Sequence, residues 1–196
     1  MRKKSGIIIL LAIIGIAVIW LVSSYNKMVR GDEACSRQWS KVESQYQRRM
    51  DLIPNLVSTV KGYANHEKET LLQVIEARNQ ASNTRVNPNT LSEKEIAEFQ
   101  ATQDNLSGAL NRLMVVVERY PDLKANQNFL QLQSQLEGTE NRIAVERQRF
   151  ADVVNAYNKQ IRSFPANLVA GIFGFERKAY FAAQSGAENA PAVVFE

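Results

Sequence analysis

A histidine beside a glutamate on a helix is half of a zinc-protease site. The pattern His-Glu-x-x-His points two imidazoles from one helix face at a metal, with the glutamate as general base. Residues 63–70, YANHEKET, come within one residue of it. Thr70 stands where the second histidine is needed, and His66 is the only histidine in the chain. Cys35 is the only thiol, which excludes paired-cysteine zinc sites and intrachain disulfides. His66 and Glu67 are therefore expected on a solvated helix face, where an apolar stripe meets its polar border.

The other clusters resolve the same way. Glu137, Glu140 and Glu146 with Arg142 and Arg147 suggest a carboxylate site, but a di-iron bundle requires Glu-x-x-His on two helices, and Tyr63 stands three residues before His66. These charges are expected to pair along an exposed face, at a few tenths of a kcal/mol each. Nucleophilic catalysis has only His66 as a possible base, and nothing marks a nucleophile near it. Cys35, in GDEACSR, lacks the small apolar box of a lipoprotein signal and reads as a small, half-buried residue. Neither G-x-x-x-x-G-K-S/T nor G-x-G-x-x-G occurs, and GIFGF at 171–175 suits a bend. The expectation is no catalytic residue, no cofactor-binding residue and no metal ligand. The enzymatic alternative is a membrane-tethered hydrolase using His66 with Glu67 or Glu69.

Any such residue needs elements to hold it, and the first is a membrane span. After Arg2, Lys3 and Lys4, every residue from Ile7 to Val22 is apolar or glycine. From Gly6 to Ser23 a helix rises about 27 Å, close to the hydrocarbon thickness of a bilayer. Trp20 and Tyr25 lie near its far end, where amphipathic rings favour the headgroups. A cleaved signal peptide is the rival reading, with Val22-Ser23-Ser24 as a possible cut, but the apolar run is long for one and helical register continues at once. The basic cluster at the start places the N-terminus in the cytoplasm and the body outside it. No G-x-x-x-G supports dimerisation of the span.

The net charge is +4, of which residues 2–4 supply three; the other 21 basic residues face 20 acidic ones. A neutral body with interleaved charges argues against nucleic-acid binding. Its pattern is helical. Trp39, Val42, Tyr46, Met50, Ile53, Val57, Val60, Ala64, Leu71, Val74 and Ala77 form one stripe, in phase through Pro54, which predicts a helix kinked there. Residues 83–95 are a break, with Ser92 and Glu95 in the form of a capping box. Ile96, Phe99, Gln103, Leu106, Leu110, Leu113 and Val117 make a second stripe, ending before Pro121. A third runs from Leu123 to Phe164 and stops at Pro165. Residues 166–181 suit a short helix covering the bundle or touching lipid, and residues 182–196 read as poorly ordered apart from VVF.

Several blocks also carry a resemblance. Tyr25-Asn26, RRMDLIPNLVSTVKGYANHE at 48–67, ERYPDLKANQNFLQLQSQLEGTENRIAVERQRF at 118–150 and YNKQIRSFP at 157–165 resemble the LemA family of bacterial membrane-anchored proteins. One departure is Phe150-Ala151, where such proteins often have Tyr-Asn. The resemblance implies an N-terminal transmembrane helix and a helical-bundle domain with no established catalytic activity. It leaves the topology open, since the family has often been described with a short extracellular N-terminus and a cytoplasmic body, opposite to the reading from charge. In the family His66-Glu67 belongs to a helical signature and is not known as a metal site.

The sequence thus predicts an all-α protein: a basic flank over 1–5, a transmembrane helix over 6–24, an antiparallel up-and-down bundle of three to four long helices over 25–184, and a tail over 185–196. Its expected function is a non-enzymatic single-pass scaffold or interaction module at the bacterial inner membrane, with the bundle extracytoplasmic. Expected partners are the lipid bilayer, further copies of the chain or other membrane proteins, with no nucleic acid, cofactor or small-molecule substrate. The alternative is a membrane-remodelling or lipid-contacting protein.

Overall fold

The computed structural model describes residues 2–64 and 66–182, with side chains from Gly6 onward. The expected tail over 185–196 lies outside the described residues. The chain forms α1 (Arg2–Tyr63), α2 (Lys68–Asn83), α3 (Glu93–Val117), α4 (Pro121–Lys124), α5 (Gln127–Arg162) and α6 (Ala166–Phe173). No strand occurs among the described residues.

The expected span and the first body helix are one element. α1 is 62 residues long, about 93 Å at 1.5 Å per residue. It is long and apolar enough at its start to cross a membrane. From Gly6 to Ser23 it is exposed all round; from Met28 a stripe of Cys35, Trp39, Val42, Tyr46, Ile53 and Val60 is buried. Pro54 sits inside the helix, between buried Ile53 and Leu56, so the helix continues as the stripe predicted.

One expectation fails here. The stripe read as continuing to Ala77 is broken after Tyr63, and α2 turns back along α1, with Arg78 Nε donating to the Met50 carbonyl at 2.9 Å. Ala64 and Leu71 are both buried. Their separation of seven residues is two helical turns, so the apolar period survives the reversal and conceals it. The third run is also divided: α4 is a separate turn, and Asn126 caps α5 by accepting from the Phe129 N–H at 3.1 Å.

α1 and α3 run away from the membrane end; α2 and α5 run toward it. α1 packs on α2 and α5, and α2 on α3, while α3 and α5 stand apart along the fourth side. α2 covers only the membrane-distal half. Below it residues 84–92 descend along α1, where Ser36 Oγ donates to the Pro88 carbonyl at 2.7 Å. The predicted capping box then starts α3: Ser92 Oγ accepts from the Glu95 N–H at 3.3 Å and the Glu95 carboxylate accepts from the Ser92 N–H at 3.4 Å. Near the other end of this half, Gly31 lets α1 and α5 approach, since a Cβ there would stand 3.0 Å from the Tyr157 ring.

Two apolar cores result. The distal one joins Met50–Val60 of α1 to α2, the far half of α3 and the start of α5. The proximal one joins Met28–Tyr46 of α1 to Val86, Leu91, Phe99, the end of α5 and α6.

Candidate functional site

The residues singled out for catalysis are dispersed. His66 is exposed in the turn between α1 and α2, not on a helix face, and makes no hydrogen bond or ion pair with another described residue. Glu67, its neighbour, accepts from Arg119 and from the Tyr120 hydroxyl, each at 3.0 Å, which ties the turn to the end of α3. Its carboxylate is occupied in holding two elements together. Glu69 is exposed in the first turn of α2. Among the described residues no three His, Cys, Asp or Glu side chains converge as a metal site would require.

The glutamates of α5 correct a second expectation. Glu137 pairs along its own helix, accepting from Gln133 at 3.1 Å. Glu146 accepts from Arg149 on the same face, but also from Gln38 Nε2 of α1 at 2.6 Å. Glu140, itself exposed, reaches across to α1. It meets Arg49 of α1 at 2.6 Å, and the Arg49 side chain is only 2% exposed. The same guanidinium donates to Ser107 Oγ at 3.0 Å and to Gln103 Oε1 at 2.5 Å, both on α3, and lies 5.1 Å from the Tyr46 ring. Burial pushes the Tyr46 hydroxyl up, against the pull of Arg147 and Arg49.

This polar layer separates the two apolar cores and joins α1, α3 and α5 at one level. A buried charge requires partners in good geometry, and in this register of the three helices Arg49 finds them on α3 and α5. Its Nε and Gln103 Nε2 have no hydrogen-bond partner among the described residues.

Toward the membrane end a second network fixes the C-terminal segment. After α6, Gly174 takes the left-handed conformation (φ 72°) that ends the helix, as the bend expected for GIFGF. Residues 175–182 then run without helix between α3 and α5. The Asn158 side chain donates to the Lys178 carbonyl at 2.8 Å and accepts from its N–H at 3.0 Å. Gln100 does the same for Ala182, at 3.1 and 3.0 Å. A carboxamide offers one acceptor and a donor pair, so it mimics a neighbouring strand. Phe181 stacks on Trp39 at 5.7 Å, meets Phe150 at 5.8 Å, and carries the Arg147 guanidinium over its ring at 4.3 Å. Phe150, the departure from the Tyr-Asn pair, is thus a wall of this aromatic cluster.

Lys178 is itself buried, pairing with Asp32 at 2.8 Å and donating to the Asn89 carbonyl. Cys35 beside it is fully buried rather than half-buried, and burial pushes its thiol up to about 11 despite Lys178. Burial likewise raises the Tyr157 hydroxyl, with Asp32 adding to the effect. A thiol held in its neutral form is a poor nucleophile, so Cys35 serves packing.

A third feature is apolar surface. On and beside α6, Phe164, Leu168 and Ile172 are 82%, 58% and 74% exposed. Leu168 and Ile172, four residues apart, share a side of α6, and Phe164 lies in the turn before it. Phe173 and Phe175 meet the Tyr25 ring at 4.9 and 5.6 Å, where the exposed span of α1 gives way to the bundle.

Sequence reasoning missed Arg49, Gln100, Asn158 and Lys178. The available signal was polarity in an apolar period: Gln103 lies within the α3 stripe, and Arg49 falls three residues after Tyr46 and four before Ile53.

Residues 38–195 match the model of the LemA family. Protein LemA of Metamycoplasma hominis is 27% identical over 169 residues, covering 86% of this chain and 74% of that protein. Magnetosome protein MamQ 2 of Paramagnetospirillum magneticum and magnetosome protein MamQ of Magnetospirillum gryphiswaldense are each 26% identical over 178 residues, 82% of this chain. The chain spans 65% of the length of each MamQ protein. With a helical bundle behind one apolar N-terminal helix, and a family match over most of its length, this chain belongs to the LemA family.

Proposed function

We propose that the protein is a non-enzymatic, single-pass membrane scaffold whose bundle binds other copies of itself or other membrane proteins at the bacterial inner-membrane surface. The observation that carries this reading is the continuity of α1, which is both the apolar segment and the central helix of the bundle. A body held this way keeps a fixed height and facing, which suits presentation of a surface more than turnover of a diffusing substrate. The basic residues 2–4 favour a cytoplasmic N-terminus and an extracytoplasmic bundle. For self-association the strongest surface is distal: Leu72 and Ile75 are 64% and 39% exposed and, with Val57 and Leu71, line an apolar hollow flanked by Lys61 and Lys68. Crosslinking in native membranes should give discrete multimers that disappear in Leu72→Asp/Ile75→Asp. Monomers alone, at every concentration and with no other protein attached, would sink the proposal.

The exposed face of α6 favours a second reading, contact with lipid. An apolar strip beside the exit of the span is placed for the headgroup boundary. In the full-length protein in nanodiscs, a spin label at Ile172→Cys should show high oxygen and low nickel-chelate accessibility, while one at Leu72→Cys shows the reverse. Equal accessibility of the two labels to water would exclude this role.

A further inference from the structure

Charge is sorted along the bundle although its total is near neutral. At the tip, over residues 61–69 and 118–124, four cations stand with four carboxylates, and Arg119–Glu67 and Lys124–Glu118 are ion pairs. At the membrane end Lys27, Arg30, Lys159, Arg162 and Arg177 are all exposed, and none forms an ion pair with a described residue. The carboxylates at this level among the described residues are Asp32, already held by Lys178, and the exposed Glu33 and Glu176.

These five cations share a narrow band. The Tyr157 ring lies against Gly31 and α5 descends from there, so Lys159 and Arg162 stand about 3 and 8 Å nearer the membrane than that contact. Arg177 falls between Phe175, which meets the Tyr25 ring at 5.6 Å, and Lys178 on Asp32. On α1, Lys27 and Arg30 rise about 6 and 10 Å beyond Ser23, where the apolar run has ended. The headgroup layer outside the hydrocarbon is about 5–8 Å deep, and helix side chains lean back toward the N-terminus. Their charged ends therefore fall within it. Arg30, with Asn26 and Ser23, lines the polar part of a hollow of about 430 Å³ whose apolar part is Val22, Ile19 and Val18.

We propose that the membrane end of the bundle binds anionic phospholipid of the leaflet it faces, with one lipid seated in this hollow: acyl chain along Val18, Ile19 and Val22, phosphate at Ser23, Asn26 and Arg30. This rests on the lipid-contact reading of α6 and adds the chemistry of the lipid. Apolar contact through Leu168 and Ile172 does not discriminate among headgroups. The cations do, because each is drawn to a negative surface, and guanidinium holds phosphate through paired N–H donors. A zwitterionic headgroup carries its own cation, which offsets the attraction.

The test uses the full chain in vesicles containing spin-labelled phospholipids. Phosphatidylglycerol should be enriched around the protein over phosphatidylcholine by roughly two- to fivefold, about the effect of one cation near an anionic surface. Arg30→Gln/Arg162→Gln/Arg177→Gln should remove most of that enrichment. Arg2→Gln/Lys3→Gln/Lys4→Gln, which strips the opposite face, should leave it, as should Lys61→Gln/Lys68→Gln at the tip. High salt should weaken it in the wild-type chain, a measurement that needs no substitution. Equal recruitment of the two lipids, enrichment indifferent to salt, or enrichment lost only with the cations at residues 2–4 overturns the inference. An Ile172→Cys label that stays in lipid while the headgroups go undistinguished marks failure of this inference alone; the same label in water marks failure of the lipid-contact reading beneath it.

Discussion

Glu140→Gln should destabilise the bundle by roughly 1–3 kcal/mol, less than breaking a fully buried ion pair, because water reaches the carboxylate side of this one. The glutamate side chain is 46% exposed and tolerates change by itself, but the guanidinium it neutralises is 2% exposed and stays charged. With the carboxylate gone, Arg49 retains Ser107 and Gln103 as neutral acceptors and no counter-charge. Arg49→Met should be milder, because Glu140 can turn to water and a thioether chain fills the space. The double variant should therefore be more stable than Glu140→Gln alone. Denaturant unfolding followed by circular dichroism measures all three. A loss under 1 kcal/mol for Glu140→Gln, or a double variant worse than either single one, would remove the polar layer from any role in fixing register.

The second large effect is expected at Trp39. It is 1% exposed and lies within 5.3 to 5.7 Å of Phe99, Phe150 and Phe181, so it joins α1, α3, α5 and the C-terminal segment at one point. Trp39→Ala should cost about 3–5 kcal/mol through lost burial and the remaining cavity. Its indole N–H is buried without a hydrogen-bond partner among the described residues. Trp39→Phe removes that unpaired donor as well as volume, and should cost less than about 1.5 kcal/mol. The contrast is the measurement: similar losses for the two variants, in the same unfolding assay, would show that packing at this position is not what holds the segment.

Much of this was legible beforehand because it is written locally. The apolar run at 7–22, the Ser92–Glu95 box, the α3 stripe and the stops at Pro121 and Pro165 each depend on residues a few positions apart. The turn at 64–67 escaped because a seven-residue gap in apolar spacing reads the same whether the chain continues or reverses. Arg49 escaped for a different reason. Arg48 beside it is exposed, and only the partners separate the two; those partners lie 54, 58 and 91 residues away. The same holds for Lys178, one cation among several in a short polar stretch, whose burial depends on Asp32 and Asn89 arriving from α1 and the 84–92 segment.

The unbroken α1 has a mechanical consequence. Because no hinge loop separates the lipid-embedded portion from the bundle, leaning of the rod in the bilayer is passed to the body as a lever. The arm from Tyr25 to Tyr63 is about 57 Å, so a tilt of about 10° sweeps its tip through roughly 10 Å. Helices lean to match the thickness of the lipid around them. Bilayer thickness and the position of the distal surface are thus coupled as a single degree of freedom.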